Sequence, residues 1–293
     1  MEITNFRAGF VSIVGKPNVG KSTLMNRLLG EKLSIVTPKP QTTRTSIRGF
    51  YNSDVSQIIY LDTPGFLEPR YELHTKMQGY ITDSLKNTDM IVFLADATDF
   101  LTDYDQKIIE IIKSYRKPAI GVLNKIELCN QEQLKEKQSI LNEHFDKTFS
   151  ISALKDSNFA GLIKEIEGFL PYSPPLYSQE DLSDMPLRFF AQEIIREKIF
   201  LEYGDEIPYS STVVVEKWIE EPDRDVIKAN IWIERDSQKP IILGKNGVKI
   251  GILRTKSEND IKAFTGRGVS LNLWVKVKPD WRKKNGALKE FGY

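Results

Sequence analysis

The sequence predicts two domains: an α/β unit on a mostly parallel sheet, then a smaller α+β unit. Three observations predict this. Nearly continuous apolar runs alternate with helical stretches through the first half, the pattern of strands buried on both faces. Gly15-Lys16-Pro17-Asn18-Val19-Gly20-Lys21-Ser22-Thr23 places an uninterrupted G-x-x-x-x-G-K-S between one such run and a helix. Charge is also unevenly distributed. The 293 residues hold 41 Lys+Arg and 40 Asp+Glu, net +1, but Lys239–Lys289 alone holds 13 basic and 3 acidic side chains.

In order, Phe10–Val14 reads as a buried strand and Thr23–Leu29 as a helix stopped by Gly30. Val36–Arg44, rich in Pro and Thr, fits neither period and reads as a loop. Strands follow at Ile47–Tyr51, Gln57–Leu61, Met90–Ala95, Ala119–Leu123 and Thr148–Ile151. Helices are predicted at Tyr71–Leu85, Tyr104–Tyr115, Gln131–His144 and Phe159–Leu170. Pro171-Tyr172-Ser173-Pro174-Pro175 closes a first domain at 1–172, and polar residues 173–184 read as a linker. In the domain at 185–293, an amphipathic helix spans Leu187–Glu202, and Ser211–Ile219 with Asp225–Glu234 read as a hairpin. Then come Ile241–Leu243, the tetrapeptide Gly244-Lys245-Asn246-Gly247, a helix over Val248–Phe264 and an alternating strand over Ser270–Val277.

Composition narrows the classes. A lone cysteine, Cys129, rules out an internal disulfide and suits a reducing cytosol. No leader pattern and no run of about 18 apolar residues is present, so a soluble protein is expected, with peripheral membrane contact left open. The basic stretch points to a polyanion, nucleic acid or anionic lipid. A lipid surface would call for an amphipathic basic helix; a G-x-x-G between helices favours RNA. His74 and His144 lack metal-site spacing and read as ordinary surface residues.

The polar signals cluster where strands end, as ligands do in open parallel sheets. The glycines of the first loop let successive N–H groups face phosphate oxygens, and the following helix adds the positive end of its dipole. Lys21 would bridge the outer phosphates and Ser22 would hold Mg²⁺. Asp62-Thr63-Pro64-Gly65 follows another strand: Asp62 suits water-mediated contact to Mg²⁺, and the Gly65 N–H a terminal phosphate. Asn124-Lys125-Ile126-Glu127 ends a third. Guanine presents two adjacent donors, which one carboxylate accepts together, whereas adenine would set an acceptor nitrogen against it. Ser152-Ala153-Leu154 would offer a backbone N–H to the guanine O6.

Together these motifs, with Gln41-Thr42-Thr43-Arg44, resemble the Era family of bacterial GTPases over the whole chain. The resemblance implies an α/β P-loop GTPase domain followed by a type II KH domain, binding GTP or GDP with Mg²⁺. It implies Ser22, Thr43 and Asp62 around the metal, with Thr42 the rival threonine, and Lys21, Thr43 and Gly65 in catalysis. Glu127 stands where the family usually has aspartate, adding one methylene to the base-reading side chain. Phe66 stands where small signalling GTPases carry a glutamine that orients water, so slow hydrolysis without a partner is expected. In the second half, Gly244–Gly247 within a strand–helix–helix–strand run resembles the KH clamp for single-stranded nucleic acid, with Gly244, Lys245, Asn246, Gly247, Lys249 and Arg254 on RNA and Lys256 extending the groove. Trp274–Lys283 resembles the family's C-terminal signature; Trp274 is expected in the core and Trp281 at the surface. The implied partners are small-subunit ribosomal RNA near the 16S 3′ end and the small ribosomal subunit, for a monomer in the cytoplasm, peripherally on the inner face of the cell membrane. A second reading is a nucleotide-dependent RNA-binding scaffold with negligible hydrolysis.

Overall fold

The computed structural model describes residues 5–155 and 159–293. The chain separates into two compact units, Met1–Ser34 with Thr43–Pro69 and Lys76–Asp184, and Ile35–Thr42 with Arg70–Thr75 and Met185–Tyr293.

The sheet of the first unit contains β1 (Arg7–Val14), β2 (Ile47–Asn52), β3 (Ser56–Asp62), β4 (Met90–Asp96), β5 (Ala119–Asn124) and β6 (Thr148–Ser150), in the order β2-β3-β1-β4-β5-β6. Neighbours are parallel except β2, joined to β3 by a connection too short for a crossover and therefore antiparallel. Every residue of β3 and β4 is buried, which explains their unbroken apolar pattern. The helices are α1 (Lys21–Leu29), α2 (Glu72–Lys86), α3 (Asp103–Ser114), α4 (Gln131–Asn142) and α5 (Phe159–Phe169). Ile81 and Leu85 of α2, Ile108 and Ile112 of α3 and Leu141 of α4 pack with Phe93 and Leu123 in one cluster. Because β1 lies between β3 and β4, the strand order reverses there, and in open α/β sheets ligands bind beyond the carboxyl ends of the strands at such a switch point.

Residues 173–184 form a strap on this sheet. Gln57 Oε1 accepts from the backbone N–H groups of Leu176 and Tyr177 at 2.7 and 2.9 Å. The Phe50 N–H donates to Leu182 O at 2.9 Å, the Phe50 ring stacks on Tyr177 at 4.2 Å, and Arg48 pairs with Asp184 at 2.5 Å. The strap thus occupies edge groups of β2 that would otherwise be open.

The second unit contains α6 (Leu187–Glu202), α7 (Ile207–Ser210), β7 (Thr212–Glu220), β8 (Arg224–Ile233), α8 (Lys239–Leu243), α9 (Val248–Thr265), β9 (Gly268–Val277) and α10 (Asn285–Glu290). β7 pairs antiparallel and β9 parallel with the central β8. Ile195 and Ile199 of α6 and Leu253 and Ile261 of α9 bury the face that carries Ile227, Ala229 and Ile231.

Three placements correct the sequence reading. Trp281 is fully buried, its Nε1 donating to Ser210 O at 2.9 Å and its ring meeting Phe291 and Tyr293. Trp274 is 46% exposed, because β9 turns Leu271 and Val275 inward and leaves Asn272, Trp274 and Lys276 on the other side of the pleat. His74 is buried: its ring lies 3.8 Å from Tyr71, Nδ1 accepts from the Arg70 N–H at 3.3 Å, and Nε2 is 3.3 Å from Gln41 Oε1. The charged sequence around His74 carried no sign of this packing. Among the described residues no helix is long and apolar enough to cross a membrane.

Candidate functional site

The loop from Gly15 to Lys21 turns through Asn18 at φ 63° and Gly20 at φ 100°. α1 has no side-chain N-cap, whereas α3 and α4 carry capping boxes from Thr102–Asp105 and Asn130–Gln133. Its first N–H groups therefore have no side-chain oxygen to serve, which suits an incoming anion. The Lys21 Nζ donates to Lys16 O at 2.8 Å and Gly15 O at 3.2 Å. Burial pushes the Lys21 ammonium down to about 8, with Asp62 opposing the shift. An ammonium destabilised by lost hydration is one that an arriving anion stabilises strongly.

The three residues expected around a metal come together. Ser22 Oγ donates to Asp62 Oδ2 at 2.7 Å and lies 3.0 Å from Thr43 Oγ1. Asp62 Oδ1 is buried without a hydrogen-bond partner. Burial raises the Asp62 carboxyl above the usual range, against the effects of Ser22 and Lys21. One carboxylate and two hydroxyls fit Mg²⁺, a hard cation that keeps several waters and takes its other ligands from phosphates. Among the described residues there is no group of three or more His, Cys, Asp or Glu able to hold a metal. The Thr42 hydroxyl bonds elsewhere, to Thr37 Oγ1 at 3.0 Å and Lys39 O at 2.8 Å, so the geometry favours Thr43 over its neighbour.

Asp62–Gly65 rests on the phosphate loop. A Cβ on Gly65 would fall 2.8 Å from the Pro17 backbone, so glycine is what permits the approach. The Phe66 N–H donates to Gly15 O at 3.3 Å, while its ring packs against the cluster of β4, α2 and α3. Thr63 Oγ1 donates to Ile13 O at 2.8 Å and anchors the segment to β1; Pro64 beside it is buried.

Asn124 ties the two motifs expected to read the base to the Gly15–Thr23 loop. Its Nδ2 donates to Val19 O at 2.8 Å and its Oδ1 accepts from the Ala153 N–H at 2.9 Å. Lys125, at φ 66°, pairs with Asp96 at 2.5 Å. Burial works against the charge on Asp96, yet Lys125 and Thr98 hold its carboxyl below the ordinary value. Beyond Ile126, Glu127 Oε2 is buried without a partner. Ser152 Oγ accepts from the Lys155 N–H at 3.1 Å, and the exposed Leu154 gives its carbonyl to Arg27 at 3.2 Å. The motifs starting at Gly15, Asp62, Asn124 and Ser152 thus gather at one end of the sheet.

Two supports escaped the sequence reading. Lys16 Nζ pairs with Asp99 and Asp105, each at 2.9 Å, which moors the phosphate loop to the start of α3. Asp96 stands opposite Asn124 in the β4–β5 register, and an acidic residue at a strand's carboxyl end was the available signal.

In the second unit, Gly244 (φ 71°) and Gly247 (φ 77°) bracket the exposed Lys245 and Asn246 between α8 and α9. Arg254 lines a cleft with Gly247, Ile250, Gly251, Asn272, Leu273 and Trp274. Lys249 instead leans toward Tyr203, its Nζ 5.9 Å from the ring, and Lys256 is turned away to pair with Glu202.

Residues 10–125 match the family described as 50S ribosome-binding GTPase, and residues 206–282 match the KH domain family. The chain is 39% identical to GTPase Era of Alkaliphilus metalliredigens (strain QYMF), over 99% of each chain. It is 40% identical to GTPase Era of Clostridioides difficile (strain 630), over 98% of this chain and 99% of that protein. A crystal structure of Era with MgGDPNP and nucleotides 1506–1542 of 16S ribosomal RNA superposes with a TM-score of 0.96 at 38% identity, covering 98% of this chain and 99% of that one. A tyrosine-to-alanine variant of Aquifex aeolicus Era bound to GDP.AlF4⁻ has the same TM-score, identity and coverage.

Proposed function

This chain belongs to the Era family of GTPases, and from that premise we propose that it binds and hydrolyses GTP in its first unit and binds small-subunit ribosomal RNA through its second. The observation that carries the nucleotide reading is the Ser22–Asp62–Thr43 cluster with its partnerless buried carboxylate oxygen, beside Lys21 and the uncapped start of α1. Ser22, Thr43 and Asp62 would hold Mg²⁺, which when bound neutralises charge on the outer phosphates. Lys21 and the N–H groups of residues 18–23 stabilise charge on the transferring phosphoryl group. The Gly65 N–H and Thr43 close over the terminal phosphate. Water attacks the γ-phosphorus in line, the bond to the β-phosphate oxygen breaks, and GDP and phosphate leave. Loss of that phosphate frees both loops, and their release is the signal.

The RNA reading rests on the G-x-x-G loop, the cleft beside it and the excess of basic side chains. Gly244, Lys245, Asn246 and Gly247 clamp a single strand near the 16S 3′ end, with Arg254 along its path and Lys249 recruited from Tyr203. The protein acts as a cytoplasmic monomer in small-subunit assembly, with peripheral contact to the inner face of the cell membrane.

Single-turnover phosphate release, measured with and without RNA, tests the function. Release above the uncatalysed background, faster with RNA, is expected. None in either state would leave the second reading, a nucleotide-dependent RNA-binding scaffold.

Base choice is separately testable. Glu127 has a free buried oxygen, and its carboxylate would accept both guanine donors. Glu127→Ala should narrow the preference for GTP over XTP by about tenfold, ~1.4 kcal/mol, near the value of one charged hydrogen bond. Glu127→Asp should retain it. An unchanged GTP to XTP affinity ratio in the alanine variant would show that Glu127 does not read the base.

A further inference from the structure

The Trp274 indole has no evident structural task. It lies 46% exposed on β9, at the edge of its sheet, with its ring outside the core formed by α6, α9 and the strands. The other tryptophans of this unit are engaged: Trp281 by Ser210, Phe291 and Tyr293, Trp232 by Phe291, Lys276 and Lys278, and Trp218 against the core. Among the described residues the Trp274 indole has no ring, cation or hydrogen-bond partner. A large aromatic left in water forgoes burial that stabilises most of its kind, and such residues mark contact surfaces.

Its position says which contact. Trp274 forms one wall of a cleft of about 320 Å³ whose other lining includes Gly247, Gly251, Arg254 and Asn272. Gly247 closes the G-x-x-G loop, so a strand clamped there has this cleft beside it. Gly251 leaves open space where other residues would project a side chain. Arg254 and Lys245 are exposed and, among the described residues, form no ion pair. The half-exposed Trp274 thus borders a cleft whose rim is cationic, a complement to a nucleobase with its phosphates.

We infer that Trp274 is a base-stacking residue of the RNA cleft: its indole holds one unpaired base of the strand whose backbone crosses Gly244–Gly247. The inference rests on the RNA reading above. Stacking tolerates any base but is stronger with the larger ring, so a purine is preferred at that one nucleotide.

The test uses the full-length protein and a labelled RNA spanning the segment crystallised with the relative, plus copies with one abasic nucleotide at successive positions. Trp274→Ala should weaken binding about tenfold and leave the salt slope unchanged, since no phosphate contact is lost. Trp274→Phe should recover most of the affinity. In the wild type one abasic position should cost about tenfold, and in the alanine variant that cost should vanish, because ring and base report one interaction. Wild-type affinity in Trp274→Ala, or an abasic penalty that persists in it, overturns the inference. The RNA reading has its own control, the Lys245→Asp, Asn246→Asp variant. If that variant loses RNA while Trp274→Ala does not, the stacking inference alone fails; if both bind normally, the RNA reading fails first.

Discussion

Lys21→Ala should abolish tight GTP binding and leave the fold intact. Lys21 is buried, and among the described residues its ammonium bonds only to the carbonyls of Gly15 and Lys16, within its own loop. Burial already depresses its protonation, so the folded protein carries the cost of an unpaired buried charge until an anion arrives. Removing the side chain removes that cost and also the attraction. Truncating one member of a desolvated charge pair weakens binding by about 3 kcal/mol, over a hundredfold. A fluorescent-nucleotide titration beside a thermal melt checks both halves. Unchanged affinity would refute the phosphate-loop assignment; a collapsed melting transition would show that Lys21 supports the fold.

A comparably large effect is expected at the other site. Lys245→Asp with Asn246→Asp places two negative charges where a clamped RNA backbone passes closest, and keeps Gly244 and Gly247. Asn246 sits at φ 52°, a region that aspartate tolerates nearly as well as asparagine, and both positions are exposed. Folding should therefore change by no more than ~0.5 kcal/mol. RNA affinity should fall by at least about a hundredfold, and the log–log salt slope should flatten as phosphate contacts disappear. Intrinsic GTP hydrolysis should persist, because Lys21, Ser22 and Asp62 belong to the other unit; any RNA-stimulated part should be lost. Filter binding across a salt series, with circular dichroism and phosphate release on the same preparation, reads all three. Wild-type affinity and salt slope in folded protein would return the basic stretch to a solvated face or a lipid contact.

The nucleotide motifs were legible in sequence because each depends on local chemistry. Glycines at 15 and 20, a lysine and serine at a helix start, and polar groups just beyond apolar strands keep their meaning whatever the chain does elsewhere. The supports around them were not legible. Lys16 meets Asp99 and Asp105 across more than eighty residues of sequence, and Asn124, at the end of β5, joins Val19 to Ala153 in two separate loops. The strap over β2 read as a plain linker because its bonds run through backbone groups of Leu176, Tyr177 and Leu182, which composition does not record.

By itself, the sequence determined the α/β unit on a mostly parallel sheet followed by a smaller α+β unit, and it singled out the motifs at Gly15, Asp62, Asn124, Ser152 and Gly244. Tertiary structure decided which threonine meets Ser22 and Asp62, since Thr42 and Thr43 are chemically alike and only the path of the loop separates them. It also exchanged the expected roles of the two tryptophans. Both are large, amphipathic and set among basic residues, so composition cannot rank them. The pleat of β9 turns Trp274 out beside the cleft, and the C-terminal residues Phe291 and Tyr293 fold back to enclose Trp281. Burial is a property of what packs against a side chain, and for these two that was settled by strand register and a distant chain end.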